Sequence, residues 1–405
     1  MKGIVVVIAM FVVLGVSTAS AVPQVGMTDA GPPQFASAGV SERASSGLWI
    51  VAFHELPEDR STYAGQTVVS VNEDLRFFVV DVSTPHEFFA TTARDDNVRY
   101  VERDLEVVRA SLVPNDTHYA NYQYDMKPAT TNMELAWDKG FGTTSTKVCV
   151  GDTGQRRTHE DFQGVTWYHW FDAINGKTTA YDDNGHGSHV TGTIAAMPNN
   201  AKGVAGITKV AIGGVKLLNT RGSGTVSQVA NGINSCTGSG AHIHSYSLGT
   251  TGDSSTIRNA INAALDAGAF IAAASGNGGC SNCVEYPAKY PGVTAVGSTG
   301  KTNVVSSFTS KGPELDFSAP GEDIPSLWTD KQPCTKQNAD RCYVLSSGTS
   351  MATPHVAGLA ALVKSNNPGF TSQQIYDRLK STAMDLGASG HDSTYGWGLI
   401  RGGAA

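Results

Sequence analysis

Three residues of different chemical type, Asp152, His186 and Ser350, each lie in a segment of small residues. Asp152 occurs in VCVGDTG, His186 in DNGHGSHVTGT and Ser350 in SSGTSMATPHVAG. A serine hydroxyl becomes an effective nucleophile when a histidine accepts its proton and a carboxylate orients that histidine. The three residues therefore predict hydrolysis through a covalent intermediate on the serine. Their order along the chain is Asp, His, Ser, whereas two other classes of serine hydrolase have the orders His, Asp, Ser and Ser, Asp, His.

Asn277, in AAASGNGG, is a candidate for stabilising charge in such a reaction. Attack on a carbonyl creates an oxyanion, which requires donors that are already in place. We expect the side-chain amide of Asn277 and the backbone N–H of Ser350 to supply them. Ser350 also begins a predicted helix, and the partial positive charge at a helix N-terminus favours developing negative charge.

The elements that must position these residues form an alternating pattern from about residue 130 onward. Strand-like apolar runs occupy 146–152, 165–171, 210–218, 241–248, 269–275 and 293–298, and helical patterns occupy 186–196, 225–236, 254–268, 349–365 and 371–383. This alternation predicts an α/β fold, a doubly wound and mainly parallel sheet with helices on both faces. Residues at the carboxyl ends of such strands gather at one edge, so we expect the four candidates to meet there.

The N-terminal third has a different organisation. Residues 1–21 have the positive charge, apolar run and Ala-x-Ala site of a signal peptide, with an uncleaved membrane anchor as the alternative. Residues 22–46 are rich in Ala, Ser, Gly and Pro and predict a flexible linker. Short alternating runs in 47–110 predict a small α+β domain, which leaves 111–405 as the main domain. No other segment could span a bilayer, so we expect no stable membrane association once the signal is removed.

The composition and net charge of the chain argue against one class of function, nucleic-acid binding. The 405 residues are 40% hydrophobic and carry a formal net charge of −7. Nucleic acid is therefore not expected as a partner, because phosphate binding requires basic patches.

Six cysteines in an exported protein favour disulfides, although the pairing cannot be derived from sequence. Cys334 and Cys342 flank a polar stretch and could close it. Cys280-Ser281-Asn282-Cys283 is a C-x-x-C motif without a thioredoxin-like context or a second ligand pair for zinc. The remaining two, Cys149 and Cys236, either pair with each other or stay free.

The strings DTG, HGSHVTGT and GTSMATPHVAG resemble the three signature segments of the subtilisin-like serine peptidases, the subtilases. The resemblance covers roughly residues 130–400. It implies a subtilisin-like α/β fold, with Asp152, His186 and Ser350 as the catalytic triad and Asn277 as the oxyanion residue. It also implies protein and peptide substrates, and we expect a monomer.

Residues 47–110 look like the inhibitor-type propeptide of that family, which assists folding and blocks the site until it is cleaved. VRYVERDLEVVRA resembles the last strand of such a propeptide and predicts processing near Arg109 or Ala110. The resemblance therefore predicts a secreted endopeptidase made as a zymogen, with its own propeptide as intramolecular inhibitor.

Substrate contacts follow from the same resemblance. Gly222-Ser223-Gly224 and Ser247-Leu248-Gly249 match the two segments that pair with an extended peptide, a form of strand addition that is tolerant of side chains. For Gly222–Gly224, a plain loop is the alternative.

Glu285, in VEYPAKYP, lies where many broad-specificity members carry a small residue. A carboxylate there could pair with Arg or Lys before the scissile bond. The alternative is a solvated surface glutamate.

The family often holds a calcium ion, and four residues stand at matching places in this chain. These are Asp161 and Asn200, with side-chain oxygens, and Lys202 and Val204, with backbone carbonyls. Such oxygen ligands suit Ca²⁺. The loop has an extra residue, Pro198, which leaves the register open, and a polar loop without metal is the alternative.

Three other functions compete with this prediction. An esterase of the α/β-hydrolase type requires G-x-S-x-G and a different triad order, and neither is present. A metallopeptidase requires H-E-x-x-H, whereas His186 and His189 lack the glutamate. A catalytically inactive relative acting as a binding module would be expected to lose a triad or oxyanion residue, and all four candidates are retained.

Overall fold

The computed structural model describes residues 7–8, 23–26, 47–104, 112–330 and 342–405. Contacts divide the chain into two compact units, Asp29–Ala110 on the one hand and Met1–Thr28 with Ser111–Ala405 on the other. Most of the predicted signal peptide and linker, and the predicted processing point, lie outside the described residues. Within the described part of the chain, no helix has the length and apolarity needed to cross a membrane.

The smaller unit is an antiparallel sheet covered by one helix, as the alternating runs predict. Its elements are β3 (Leu48–Phe53), β4 (Thr62–Tyr63), β5 (Gln66–Asn72), β6 (Phe77–Asp81), α1 (Pro85–Thr92) and β7 (Val98–Arg103). The strands lie in the order β4-β5-β6-β3-β7. Every second residue of β3 and β6 is buried on one face, so Val51, Phe53, Phe78 and Val80 form a core with Phe88 of α1.

The larger unit is built on a seven-stranded parallel sheet. Its strands are β8 (Lys147–Asp152), β9 (Trp167–Asp172), β10 (Ala211–Lys216), β11 (Ile243–Tyr246), β12 (Phe270–Ala274), β13 (Thr294–Thr299) and β14 (Leu315–Pro320). They lie in the order β14-β13-β12-β11-β8-β10-β9. This sheet confirms the predicted fold and six of its strands. The seventh, β14, was not predicted because Asp316 and Pro320 interrupt its apolar pattern.

Helices cover both faces of this sheet. They are α2 (Tyr119–Tyr122), α3 (Met133–Trp137), α4 (His186–Ala195), α5 (Val226–Gly238), α6 (Ser255–Asp266), α7 (Thr349–Asn366) and α8 (Ser372–Thr382). Apolar residues of α4 and α7 pack in one core, and those of α5 and α6 pack in another. The central strands β8, β10, β11, β12 and β13 are buried along nearly their whole length, as expected for a parallel sheet covered on both faces.

Four short strands form a second sheet beside the first. They are β1 (Val7–Ile8), β2 (Pro23–Gly26), β15 (Ile324–Leu327) and β16 (Tyr343–Ser346), in the order β1-β2-β16-β15. β15 and β16 pair antiparallel, and β15 packs against α4.

Two disulfides are described in full. Cys149–Cys236 joins β8 to α5, and both cysteines are buried. Cys280–Cys283 closes a short loop after β12.

Cys342 is also disulfide-bonded. Cys334, its predicted partner, lies outside the described residues.

Candidate active site

Two of the predicted catalytic residues and one predicted substrate-binding residue lie at the carboxyl ends of three neighbouring strands, β12, β11 and β8. Asp152 is the last residue of β8, Ser247 follows β11, and Asn277 lies just beyond β12. Helices α4 and α7 pack against each other, and His186 and Ser350 each lie in the first turn of one of them. The fold therefore brings the four predicted residues to one edge of the sheet.

Asp152 holds His186 by a hydrogen bond of 2.7 Å between Oδ1 and Nδ1. The carboxylate is fully buried, and the histidine is only 5% exposed. Burial lowers the pKa of His186, but the charge of Asp152, its hydrogen bond and the charge of Asp182 outweigh that effect and raise the pKa above its ordinary value. Because Nδ1 is held by Asp152, proton exchange with a substrate must use Nε2.

A buried carboxylate, Asp182, fixes the point at which α4 begins. Its Oδ1 accepts hydrogen bonds from the N–H of Asn184 and of Gly185, and its Oδ2 accepts from the N–H and hydroxyl of Ser188. Gly185 has φ +117°, and a side chain there would collide with the ring of Trp328. These contacts fix the position of the His186 backbone independently of the hydrogen bond between its side chain and Asp152.

Ser350 is held through its backbone by Ser247. Pro354 lies four residues later in α7 and has no N–H, so it cannot donate the usual helical hydrogen bond to the Ser350 carbonyl. The hydroxyl of Ser247 donates to that carbonyl instead, at 2.7 Å. The Ser350 hydroxyl donates to the Ser247 carbonyl at 3.3 Å, so it must rotate to reach His186.

Asn277 is oriented by Thr349, a residue that sequence reasoning missed. The Oδ1 atom of Asn277 accepts from the backbone N–H of Thr349 at 2.9 Å and from its hydroxyl at 3.0 Å. The amide nitrogen is thereby turned away from Thr349 and lies near Gly348, two residues before Ser350. The only signal for Thr349 in the sequence is that it directly precedes Ser350.

Glu285 lies between two segments at the same edge. A side chain built at Gly249 or at Gly276 would collide with its carboxyl group. The Glu285 carboxylate is partly buried and has no ion pair among the described residues. Burial raises its pKa. The Glu285 carboxylate is therefore held half-buried beside the Ser247–Gly249 segment.

The predicted segment Gly222–Gly224 lies beside the loop that leads into α4. Its turn is closed by a hydrogen bond from Asn219 N–H to the Ser223 carbonyl, at 2.8 Å. The Asn184 side chain donates to the Thr220 carbonyl at 3.0 Å, and the Asn184 Oδ1 accepts from His186 N–H at 3.1 Å. One side chain therefore connects this segment to the start of α4.

The predicted calcium residues form one cluster at the far end of α4. Oδ1 of Asp161 accepts from the amide of Asn200 at 2.8 Å, and Oδ2 accepts from Val204 N–H at 2.9 Å. Lys202 N–H donates to Asn200 Oδ1 at 2.8 Å. Burial raises the pKa of Asp161 to about 8, so this carboxylate lacks full compensation from its neighbours.

The structure adds Asp116 to the cluster, a residue that sequence reasoning missed. It is 4% exposed, burial raises its pKa to about 6, and its Oδ1 has no hydrogen-bond partner among the described residues. Its charge also raises the pKa of Asp161. Among the described residues, no group of three or more His, Cys, Asp or Glu could hold a metal. The two buried carboxylates are oxygen ligands of the kind that a hard divalent cation takes.

Comparison with known proteins identifies the family. Residues 143–398 match the model of the subtilase family. The chain is 39% identical over 316 residues to the thermostable alkaline protease of Halalkalibacterium halodurans, covering 77% of this chain and 78% of that protein. It is 40% identical over 274 residues to subtilisin Savinase of Lederbergia lenta, covering 67% and 94%.

A solved protease structure from Pseudoalteromonas arctica superposes with a TM-score of 0.62 at 29% identity, covering 72% of this chain and 98% of that one. Both the sequence relatives and this structure are proteases, and the family model spans the residues that build the site. The chain belongs to the subtilase family and is a subtilisin-like serine endopeptidase.

Proposed function

We propose that Asp152, His186 and Ser350 form the catalytic triad of an exported endopeptidase that is made as a zymogen. The observation that carries this proposal is the 2.7 Å hydrogen bond from His186 to Asp152 at the sheet edge that also bears Ser350 and Asn277. The competing proposal is a catalytically inactive binding module. Labelling of Ser350 by a serine-directed reagent distinguishes the two proposals.

In the proposed mechanism, Ser350 Oγ attacks the carbonyl carbon of the scissile bond while His186 Nε2 takes its proton. The oxyanion accepts hydrogen bonds from the Asn277 amide and the Ser350 N–H. When the tetrahedral intermediate collapses, Nε2 gives its proton to the leaving amine and an acyl-enzyme remains. Water then repeats the sequence, and Ser350 is regenerated. Asp152 stays ionised throughout and holds the imidazolium.

The test is intact mass with N-terminal sequencing of wild type, Ser350→Ala and the control Ser227→Ala, which alters an exposed serine of α5. Wild type and control should be processed near Arg109 or Ala110, whereas Ser350→Ala should accumulate as a precursor lacking only the signal peptide. A serine-directed phosphonate should label Ser350 in the processed protein. Processing of Ser350→Ala at the same point in pure protein, or no adduct on Ser350, would contradict the proposal.

The zymogen arrangement is supported by the smaller unit, which has a hydrophobic core of its own. We propose that residues 47–110 are the propeptide and that they inhibit residues 111–405 until cleavage. Activity in the processing experiment should therefore follow loss of the intact segment 47–110 in time. Export is supported by the signal-like residues 1–21 and by the disulfides, which are typical of oxidising compartments. We expect a monomer on gel filtration.

The proposed substrates are extended peptides that pair with Gly222–Gly224 and Ser247–Gly249 and carry Arg or Lys before the scissile bond. Glu285 supports the basic preference, because its half-buried carboxylate lacks a counter-ion among the described residues. Hydrogen bonds to charged groups contribute about 1.5–3 kcal/mol, which corresponds to roughly 10- to 150-fold in kcat/KM.

Peptides that vary only in the residue before the scissile bond test this preference. Glu285→Gln should lower kcat/KM for Arg and Lys peptides and leave Phe peptides nearly unchanged. Asp266→Asn removes an exposed carboxylate at the end of α6 and should change neither. A wild-type preference for apolar residues that Glu285→Gln does not alter would exclude the role of Glu285.

We also propose a structural calcium site formed by Asp161, Asn200, Lys202, Val204 and Asp116. The ion would neutralise two buried carboxylates and take no part in bond cleavage. At a calcium concentration 100 times its Kd, binding stabilises the fold by about 2.7 kcal/mol, so chelator should lower the Tm of the whole protein. Asp161→Asn should abolish that difference, whereas Asp266→Asn should retain it. A Tm that does not depend on chelator would remove the site.

A further inference from the structure

The loop of residues 278–284 connects Asn277, the proposed oxyanion donor, to Glu285, the proposed specificity residue. Within it, Cys280 and Cys283 form a disulfide across a separation of 3 residues. We propose that this disulfide sets the relative positions of Asn277 and Glu285, and that its reduction weakens the preference for basic residues. The inference rests on the proposed function of both residues.

Each half of the loop is attached to the same neighbouring segment, residues 308–311. On the Asn277 side, Gly278 N–H donates to the Ser310 hydroxyl at 3.0 Å and Gly279 N–H donates to the Phe308 carbonyl at 2.8 Å. Ser310 N–H in turn donates to the Gly276 carbonyl at 2.9 Å. The residues that follow β12 are therefore fixed up to the first cysteine.

On the Glu285 side, the two cysteines share one partner. Lys311 N–H donates to the Cys280 carbonyl at 2.9 Å, and Cys283 N–H donates to the Lys311 carbonyl at 3.1 Å. Two residues later, Glu285 N–H donates to the Ser275 carbonyl at 2.9 Å. The covalent bond joins the two residues that bind Lys311, one from each half of the loop.

The turn that the disulfide closes is exposed and has two residues in the left-handed backbone region. Cys280, Ser281 and Asn282 are exposed, and both Gly279 and Asn282 have positive φ, at +67° and +57°. An asparagine in this left-handed region is less favourable than a glycine. Without the covalent bond, we expect this turn to relax and Glu285 to lose its fixed position between Gly249 and Gly276.

The two disulfides should respond differently to a reductant. Cys149–Cys236 is buried and spans 87 residues, whereas Cys280–Cys283 is exposed and closes a very short loop. A short loop restricts the unfolded chain little, so the exposed bond contributes mainly to local shape. A dithiol should reduce it first, because exposed disulfides are the labile ones. Two electrons and two protons pass to Cys280 and Cys283, which become thiols, while the dithiol closes to its cyclic disulfide.

The experiment compares processed wild type, oxidised and after mild dithiothreitol, with Cys280→Ser/Cys283→Ser. Alkylation followed by peptide mass mapping shows which cysteines are reduced. The readout is the ratio of kcat/KM for Arg over Phe peptides. Because small displacements of a positioned group can cost up to about 10²-fold, we expect the ratio to fall about tenfold on reduction and in the double variant, with little change in Tm. The double variant should not respond to dithiothreitol.

An unchanged ratio and an unchanged kcat in protein with both thiols alkylated would overturn the proposal, as would a lower ratio that appears only with a lower Tm. Failure of the proposed function is recognised separately. In that case Glu285→Gln leaves the ratio unaltered in oxidised protein, and the disulfide is judged by kcat on the Phe peptide. A fall in kcat at constant KM would then support its role in positioning Asn277.

Discussion

Two buried aspartate–histidine pairs lie in the larger unit, and they have opposite consequences. Asp152 contacts His186 at 2.7 Å, and Asp125 contacts His355 at 2.9 Å. The second pair is no less buried than the first. The chemical groups are the same, so the difference between them must come from where the fold places each ring.

His355 lies inside α7, and both of its ring nitrogens are engaged by protein atoms. Its Nε2 contacts Asp125 Oδ2, and its Nδ1 contacts the Met351 carbonyl at 2.9 Å. A nitrogen that contacts a carbonyl must carry the proton, so this ring cannot accept one from a substrate. His186 instead begins a helix at the sheet edge, and Asp152 uses only its Nδ1. We therefore expect the ring that the aspartate holds at Nδ1, rather than at Nε2, to be the one that exchanges a proton with the substrate.

The largest expected effect is on catalysis, in Asp152→Asn. We expect kcat to fall about 10⁴-fold, the loss known for the equivalent change in a trypsin-type triad, because the histidine takes the wrong tautomer. Asn retains an oxygen for the N–H of Thr153, but the change also breaks one side of a buried pair, so the free energy of unfolding should fall as well. Active-site titration with peptide kinetics measures the change, and a loss below tenfold would exclude the role of Asp152.

Asp125→Asn should destabilise the fold without the loss of kcat. Breaking one side of a buried pair costs about 3–5 kcal/mol of unfolding free energy, because the partner is left uncompensated. The kcat per titrated site should stay close to that of wild type. Denaturant unfolding and site titration on the same sample give both numbers. If kcat falls as far as in Asp152→Asn, the two pairs are not distinct in function.

Thr349→Val tests a smaller contribution. The change removes the hydroxyl donor to Asn277 Oδ1 and retains the backbone donor. A single hydrogen bond contributes about 1 kcal/mol, so kcat should fall roughly fivefold while KM stays constant. Thr353→Val, one turn further along α7, removes a hydroxyl that bonds the Thr349 carbonyl and serves as control. Equal kcat values for the two variants would show that Thr349 does not orient the amide.

The smallest effect is on the pH profile. Because the pKa of His186 is raised, the rise of kcat/KM with pH should lie above that of an ordinary histidine. A raised pKa in the folded state stabilises the protein at low pH, and this stabilisation is lost as the pH rises through that pKa. Activity should therefore increase over the same pH range in which this contribution to stability is lost. Asp152→Asn should move the rise to lower pH, and Asp125→Asn should leave it in place. A shift in the second variant would contradict the comparison.

Sequence reasoning singled out Asp152 and His186 but not Asp125 and His355, and the reason is physical. His186 and Ser350 lie in segments whose small residues and helical pattern indicate exposure of a reactive side chain. Asp125 and His355 are 230 residues apart, and Asp125 lies in a polar segment that resembles any turn. Pairings between distant segments leave no local pattern. Asp116 was missed for the same reason, because its burial depends on the loop after α4.

The same contrast holds for the fold. Strands with an uninterrupted apolar centre, such as β8 and β12, were predicted from their apolar runs. β14 was not, although it is a full member of the sheet, because the Tyr376 hydroxyl and the Ala295 N–H satisfy Asp316 from other elements. The propeptide boundary and the metal site remain predictions, since they depend on processing and on an ion.

The position of β8 in the sheet has a consequence for the time course of folding. This strand carries Asp152 and lies between β11 and β10, both of which follow it in the chain. During synthesis the carboxylate therefore emerges first, its flanking strands later, and the helix with the nucleophile near the end. Sheets assembled from such distant segments form slowly. The growing polypeptide should thus be unable to cut itself until nearly all of it is present.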